Sequence, residues 1–266
     1  MKIYHYTSIQ NLALILHSMN IRFNRLDKVD DMEEAAYGSG PDKIRLGQYY
    51  FVSCWTKSDE ENLALWDMYT RYKGVRIGME SIPFITYQIN EKYSSLINCW
   101  EGYGEDFYIS CISNPAKLYD IKYVKDPEEE IAKLIDDFGT GVKISNYDVG
   151  TYKREEWSFQ QESRFILSVS PIDMDIAKSL IKPDDYKVNK IMKVHSTILL
   201  SLKNNKPVNI QYIDRPLDPE KLANIEIMLG PMTSPADEII VRALLRDFPN
   251  ATIIFSKFWD KLRNHS

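Results

Sequence analysis

The 266-residue chain carries 33 Lys and Arg against 38 Asp and Glu, a net charge of −5, which excludes a surface built to coat nucleic acid by charge alone. Its hydrophobic fraction of 44% and aromatic fraction of 12% exclude a disordered chain and are enough for a large buried core. Three cysteines without paired metal spacing, no membrane-length apolar run and no signal-peptide pattern lead to the expectation of a reduced, cytoplasmic protein with no membrane contact.

The chain opens KIYHYTSIQNL. Ile3 to Thr7 reads as a strand, and the stripe Ile9, Leu12, Ile15, Leu16 and Met19 as a helix capped by Ser8 or Thr7. Side chains alternate along a strand, so His5 and Thr7 share one face and Tyr4 and Tyr6 the other. A His and a Thr at a strand end, beside the donor-rich start of a helix, can hold a sugar or a phosphate. They can equally be a hydrogen-bonded strand end without a ligand. Ile21 to Arg25 is a short strand, the acidic DKVDDMEEA a loop opening a short helix, and QYYFVSCW a central strand.

SDEENLALWDMYT reads as a helix with Ser58 and Glu61 spaced as a capping box. Trp66 and Tyr69 lie one turn apart on it, suited to core packing or to stacking on a planar ring. GVRIGME alternates apolar and polar residues as a half-buried strand does. Residues 82–112 show no clear pattern and are treated as an insertion. KLYDIKYV is a strand, and DPEEEIAKLIDDF a helix with Pro127 in its first turn.

EEWSFQQESRFILSV carries the clearest chemical pattern. Read as one strand, it buries Trp157, Phe159, Phe165, Leu167 and Val169 and places Ser158, Gln160, Glu162 and Arg164 on the other face. Glu162 and Arg164 then stand about 7 Å apart, either as a surface ion pair or as a cleft wall where Arg164 orients Glu162 or binds phosphate. Residues 224–256 read as a βαβ-like unit whose helix starts with Ser234, Pro235 and Asp237 as cap and first turn. Its Gly230-Pro231 loop faces a helix N-terminus, a place that serves packing or binds an anion. The order of elements predicts an α+β fold: a single domain, 1–266, with a mixed, split β-sheet and surrounding helices. The four histidines are scattered, and no Walker, dinucleotide or nucleophile-elbow motif occurs, so no metal centre is expected.

Taken together, YHYTS…NL, DDMEE, FVSCW, LWDMYT…GVRIGME, WSFQQESR and IMLGP, in this order from Ile3 to about Phe255, resemble the bacterial domain of unknown function 2971 family. Many members have Asn-Asp-Pro-x-Glu in the acidic motif; this chain has Asp30-Asp31-Met32-Glu33-Glu34, keeping Asp31 and Glu34. Many also have a Glu where Gln160 stands. That family in turn resembles the ADP-ribosyltransferases, above all toxin-like branches that begin His-x-Thr with a following Asn-Leu.

The resemblance implies an ADP-ribosyltransferase-like enzyme that cleaves NAD and transfers ADP-ribose to RNA, DNA or protein. A toxin or phage-defence effector with a partner antitoxin fits that class. By position it implies Glu162 as the catalytic carboxylate and His5 and Thr7 as NAD-holding residues, with Asn11 a helper. Arg22, Arg76 and Arg164 are then candidates for the pyrophosphate and Tyr69 for stacking on nicotinamide, with no metal. Two other readings compete: a non-catalytic nucleotide-sensing module, supported by Gln160, and a metal-dependent nucleic-acid hydrolase using Asp30, Asp31, Glu34 and Glu162.

Overall fold

The computed structural model describes residues 1–35, 44–85, 100–103, 107–110, 117–137, 142–144, 148–172, 175 and 187–262. The strands are β1 (Lys2–Thr7), β2 (Asn20–Arg25), β3 (Tyr50–Thr56), β4 (Val75–Glu80), β5 (Trp100–Tyr103), β6 (Phe107–Ser110), β7 (Leu118–Asp120), β8 (Lys122–Val124), β9 (Ile135–Asp137), β10 (Val142–Ile144), β11 (Tyr152–Arg154), β12 (Glu162–Pro171), β13 (Tyr212–Pro216), β14 (Glu226–Leu229) and β15 (Thr252–Phe255). The helices are α1 (Ile9–Ser18), α2 (Leu63–Thr70), α3 (Pro127–Ala132), α4 (Lys187–Lys203), α5 (Pro219–Ala223) and α6 (Pro235–Leu244). The fold is α+β.

Among the described residues, one large mixed sheet runs β15-β14-β4-β1-β3-β12-β6-β5, with β2, β13 and β7 attached beside this path. β14 and β15 are its parallel pair, joined by α6. The parallel β8–β11 and antiparallel β9–β10 pairs stand apart from it. The described parts of 82–112 contribute β5 and β6 to the sheet edge.

The sheet is interrupted at its centre. β1 pairs with β4 from Lys2 to Thr7, yet meets β3 only at Tyr4↔Thr56. β3 in turn pairs with β12 from Thr56↔Glu162 to Tyr50↔Ser168. This register puts Tyr4, Thr56 and Glu162 on one face, followed by Tyr6, Cys54 and Arg164. α2 lies on that face, where Trp66 meets the Tyr6 ring edge-on at 4.8 Å. The other face carries Trp55 and Phe165, which pack with Phe84 into the main core.

Local chemistry explains several boundaries. The Ser8 hydroxyl accepts from the Asn11 amide and starts α1. At α6, Ser234 and Asp237 form a reciprocal capping box behind Pro235. The preceding loop is a packing site: a Cβ on Gly230 would lie 2.7 Å from the Tyr72 carbonyl oxygen.

Five expected elements differ. α2 starts at Leu63 with Asn62 as its cap, because Glu61, assigned to a capping box, instead accepts from Trp66 Nε1, the Ser256 hydroxyl and the Lys257 amide. β4 is buried up to Met79 on both faces rather than half-buried, being flanked by β1 and β14. α3 stops at Ala132, and KLYDIKYV divides into β7 and β8. Residues Glu155–Gln160 form a 3₁₀ helix, so the strand read from Trp157 begins at Glu162. Gln161, at φ 44°, makes the break, and Phe159 ends exposed rather than in the core.

Phe165 remains central, buried and in edge-on contact with Phe84 at 4.9 Å. Phe165→Ala is expected to lower stability by about 3–5 kcal/mol through lost burial and a residual cavity, read as a lower chemical-denaturation midpoint. An unchanged midpoint would contradict this packing.

Candidate active site

A slot of about 60 Å³ opens where β1 and β3 part, lined by Tyr4, His5, Tyr6, Cys54, Trp55 and Thr56 with Leu65, Tyr69, Gln160 and Glu162. Consecutive residues of both strands line it, so it lies along the seam and draws on both faces of the sheet. His5 and Glu162 therefore share one slot although the register assigns them to opposite faces. The His5 ring packs 5.2 Å from Trp55, and its Nδ1 lies 2.8 Å from the Cys54 carbonyl oxygen. A carbonyl only accepts, so Nδ1 carries the proton. Burial lowers the His5 pKa against the opposing pull of that bond, leaving a neutral ring with Nε2 as a bare acceptor. A vestibule of about 330 Å³ adjoins the slot and shares Thr56, Leu65 and Gln160 with it.

Beneath Glu162 lies a closed ring of four charges: Glu34 is 0% exposed, Arg164 1%, Lys153 2% and Glu162 7%. These exposures exclude the surface ion pair. Arg164 donates from Nε to Glu162 Oε1 at 2.5 Å and from Nη2 to Oε2 at 3.0 Å. Its other edge donates to Glu34, with Nη2 at 3.1 Å from Oε1, and to the Gly150 carbonyl oxygen at 3.1 Å. Lys153 Nζ reaches Gln160 Oε1 at 2.7 Å and both Glu162 Oε2 and Glu34 Oε1 at 3.2 Å. All five guanidinium N–H bonds are thereby used, and the ammonium donates two hydrogen bonds and pairs by charge with Glu34.

Burial raises the Glu162 pKa, but Arg164, Lys153 and the Cys54 thiol overcome it and hold the carboxyl at about 2. The same two carboxylates, against the cost of burial, push Arg164 well above its usual range. Cys54 is pushed up by burial and by Glu162, so it stays a thiol and a poor nucleophile. The ring extends sideways: Gln160 Nε2 donates to the Tyr69 hydroxyl at 3.4 Å, and that hydroxyl donates to Asp30 at 3.2 Å.

Of the residues singled out from sequence, His5, Tyr69 and Glu162 converge on the slot. The others do not line it. The Thr7 hydroxyl accepts from Asn11 Nδ2 at 3.1 Å, and the two satisfy each other at the start of α1. Arg22 pairs with Asp214 and lies over the Tyr212 ring on β2 and β13. Arg76 is buried 4.3 Å from the Tyr4 ring centroid and donates to the Asp59 carbonyl oxygen. Arg164 has no donor left for a phosphate and instead orients Glu162. Sequence reasoning did not find Lys153, Cys54, Thr56 or Leu65, and it placed Glu34 only in the hydrolase reading. A lone Lys in TYKREEW has no periodic signal that foretells its burial.

Comparison with known protein families, with curated proteins and with solved structures finds no match for this chain. The site's chemistry therefore rests on its own geometry.

Because the folded pKa of Glu162 lies below the usual 4.5, its ionisation stabilises the fold above about pH 4.5. That contribution, on the order of 3 kcal/mol, is lost as pH falls through that value toward 2. The stability gap between wild type and Glu162→Gln should thus narrow on acidification from about pH 6 to about pH 3. Denaturant titrations at both pH values measure it, and a constant gap would contradict the ionised assignment.

Proposed function

We propose that the chain is an ADP-ribosyltransferase-like enzyme that cleaves NAD at the slot and transfers ADP-ribose to a macromolecule. One observation carries this reading: His5, Tyr69 and a Glu162 carboxylate paired with Arg164 and Lys153 meet at a strand seam, although they come from β1, α2 and β12. In the reaction the bond between ribose C1′ and the nicotinamide nitrogen breaks, and its electron pair leaves with nicotinamide. Positive charge grows on the ribose until an acceptor lone pair bonds to C1′ and the acceptor gives up its proton to solvent water. A fixed carboxylate beside the ribose stabilises that charge.

Glu162 suits this electrostatic task. A group held at about 2 is a poor proton acceptor near neutral pH, so Glu162 acts by its charge and not as a general base. His5 Nε2 is the available acceptor, placed to hold a ribose hydroxyl or the nicotinamide amide. Three positions on the Glu162 oxygens are taken by Arg164 and Lys153, and the second lone pair of Oε1 is the one a ribose hydroxyl would use. The slot alone is smaller than the roughly 150 Å³ that holds a benzene-sized ring, so nicotinamide would straddle slot and vestibule. Among the described residues, no Lys, Arg or His lines the vestibule, through which the acceptor would arrive.

The hydrolase reading is less well supported. Glu34 and Glu162 give their lone pairs to Arg164 and Lys153, and Asp30 accepts from Tyr69.

The deciding assay follows nicotinamide release and labelled ADP-ribose incorporation into cell extract, with and without chelator. Wild type should turn over NAD regardless of chelator. Folded Glu162→Gln should bind NAD while turnover falls by about two orders of magnitude or more. His5→Ala should weaken NAD binding as well. NAD binding without nicotinamide release would leave the nucleotide-sensing module, and chelator-sensitive nucleic-acid cleavage would leave the hydrolase. Full turnover by Glu162→Gln would remove Glu162 from the reaction.

A further inference from the structure

We propose that Lys153, anchored by Glu34, is a positioning residue that fixes two polar groups of the slot, the Glu162 carboxylate and the Gln160 amide. This inference deepens the reading of Glu162 as the charged wall of the slot and rests on it.

The geometry leaves Lys153 little freedom. Its ammonium donates to Gln160 and Glu162, pairs with the Glu34 carboxylate at 3.2 Å, and sits 4.8 Å from the Trp157 ring centroid. Gln160 and Glu162 line the slot, whereas Glu34 and Lys153 do not. Lys153 thus acts from behind the wall. Its bond to Gln160 Oε1 also selects the amide orientation, because only then does Nε2 face the Tyr69 hydroxyl. One cation therefore sets the carboxylate and, through Gln160 and Tyr69, the aromatic wall opposite.

Arg164 alone would not do this. Both of its edges are occupied, one by Glu162 and one by Glu34, and it makes no contact with Gln160. Glu34 balances the second cation, so the ring holds two negative and two positive charges. The other titratable groups acting on Glu162 are Cys54 from β3, Tyr69 from α2 and Tyr123 from β8, whose hydroxyl accepts from the Glu162 amide. None of these is a cation. Lys153 is therefore the removable half of the positive charge on Glu162.

The test reads the carboxylate directly, without NAD. In protein labelled with ¹³C at the Glu side-chain carboxyls, the Glu162 signal is the one missing from Glu162→Gln. In folded Lys153→Met, its titration midpoint should rise by about one unit or more, and the Gln160 side-chain amide signals should shift. Lys153→Arg should restore the midpoint. A folded Lys153→Met with the midpoint and the Gln160 signals unchanged would overturn the proposal. Should Lys153→Met fail to fold, the wild-type ammonium signal of Lys153 decides. Protection from water exchange, with a shift in Glu162→Gln, supports the proposal, and rapid exchange like that of a surface lysine overturns it. If wild type also consumes NAD, Lys153→Met should lower kcat far more than it changes KM, with recovery in Lys153→Arg. If it consumes none, the proposed enzymatic reading fails while the carboxylate titration still decides the role of Lys153.

Discussion

Withdrawing Glu34, Lys153, Glu162 and Arg164 from water costs several kcal/mol per ion, and only their mutual attraction and complete hydrogen bonding offset that cost. The rest of the site follows from this constraint. Each ion must stay where its partners are, so the short acidic 3₁₀ helix Met32–Ala35, the small strand β11 and the start of β12 are fixed relative to one another. Glu162 is consequently held in one orientation at the slot before any ligand arrives. Preorganisation of this kind is what makes a fixed charge useful to a reaction that creates the opposite charge.

The interruption between β1 and β3 supplies the other half. A continuous ladder would fill that seam with backbone hydrogen bonds, leaving no space for a ligand. Here the His5 ring bonds the Cys54 carbonyl in place of a backbone amide, so one side chain both closes the ladder's account and faces the slot. Gln160 fits the same logic. A Glu at this position would place a third carboxylate against the two ring cations. Gln160 keeps the charge balanced and still bonds Lys153 and Tyr69.

Much of the fold was legible because local signals agreed with tertiary ones. Ser8 and the Ser234–Asp237 pair mark helix starts through their own side chains, and QYYFVSCW has the composition of the central strand it forms. The failures share one cause, competition from distant partners. Glu61 was read as a capping residue because its spacing fits, but Trp66, Ser256 and Lys257 claim it. Trp157 and Phe159 alternate as strand residues do, yet Gln161 turns the chain and moves them off the sheet. At the site, His5 is legible as a polar residue at a strand end, and Glu162 as one on the polar face of a strand. Lys153 and Glu34 are not, since nothing within a few residues of either announces that a partner from another part of the chain will bury it.

The ring also bears on the order in which this molecule is made. Glu34 and Arg164 stand 130 positions apart, and Glu34 has no buried counter-ion until Lys153 and Arg164 have been made. Contacts of such long range close late in folding, after more local structure has formed. During synthesis, a nascent chain that has displayed His5, α2 and the whole of β3 still lacks β11 and β12, and with them the charge that defines the slot. The ribosome must therefore release roughly the first three-fifths of the polypeptide before the site can assemble, so chains that terminate early carry its frame without its chemistry.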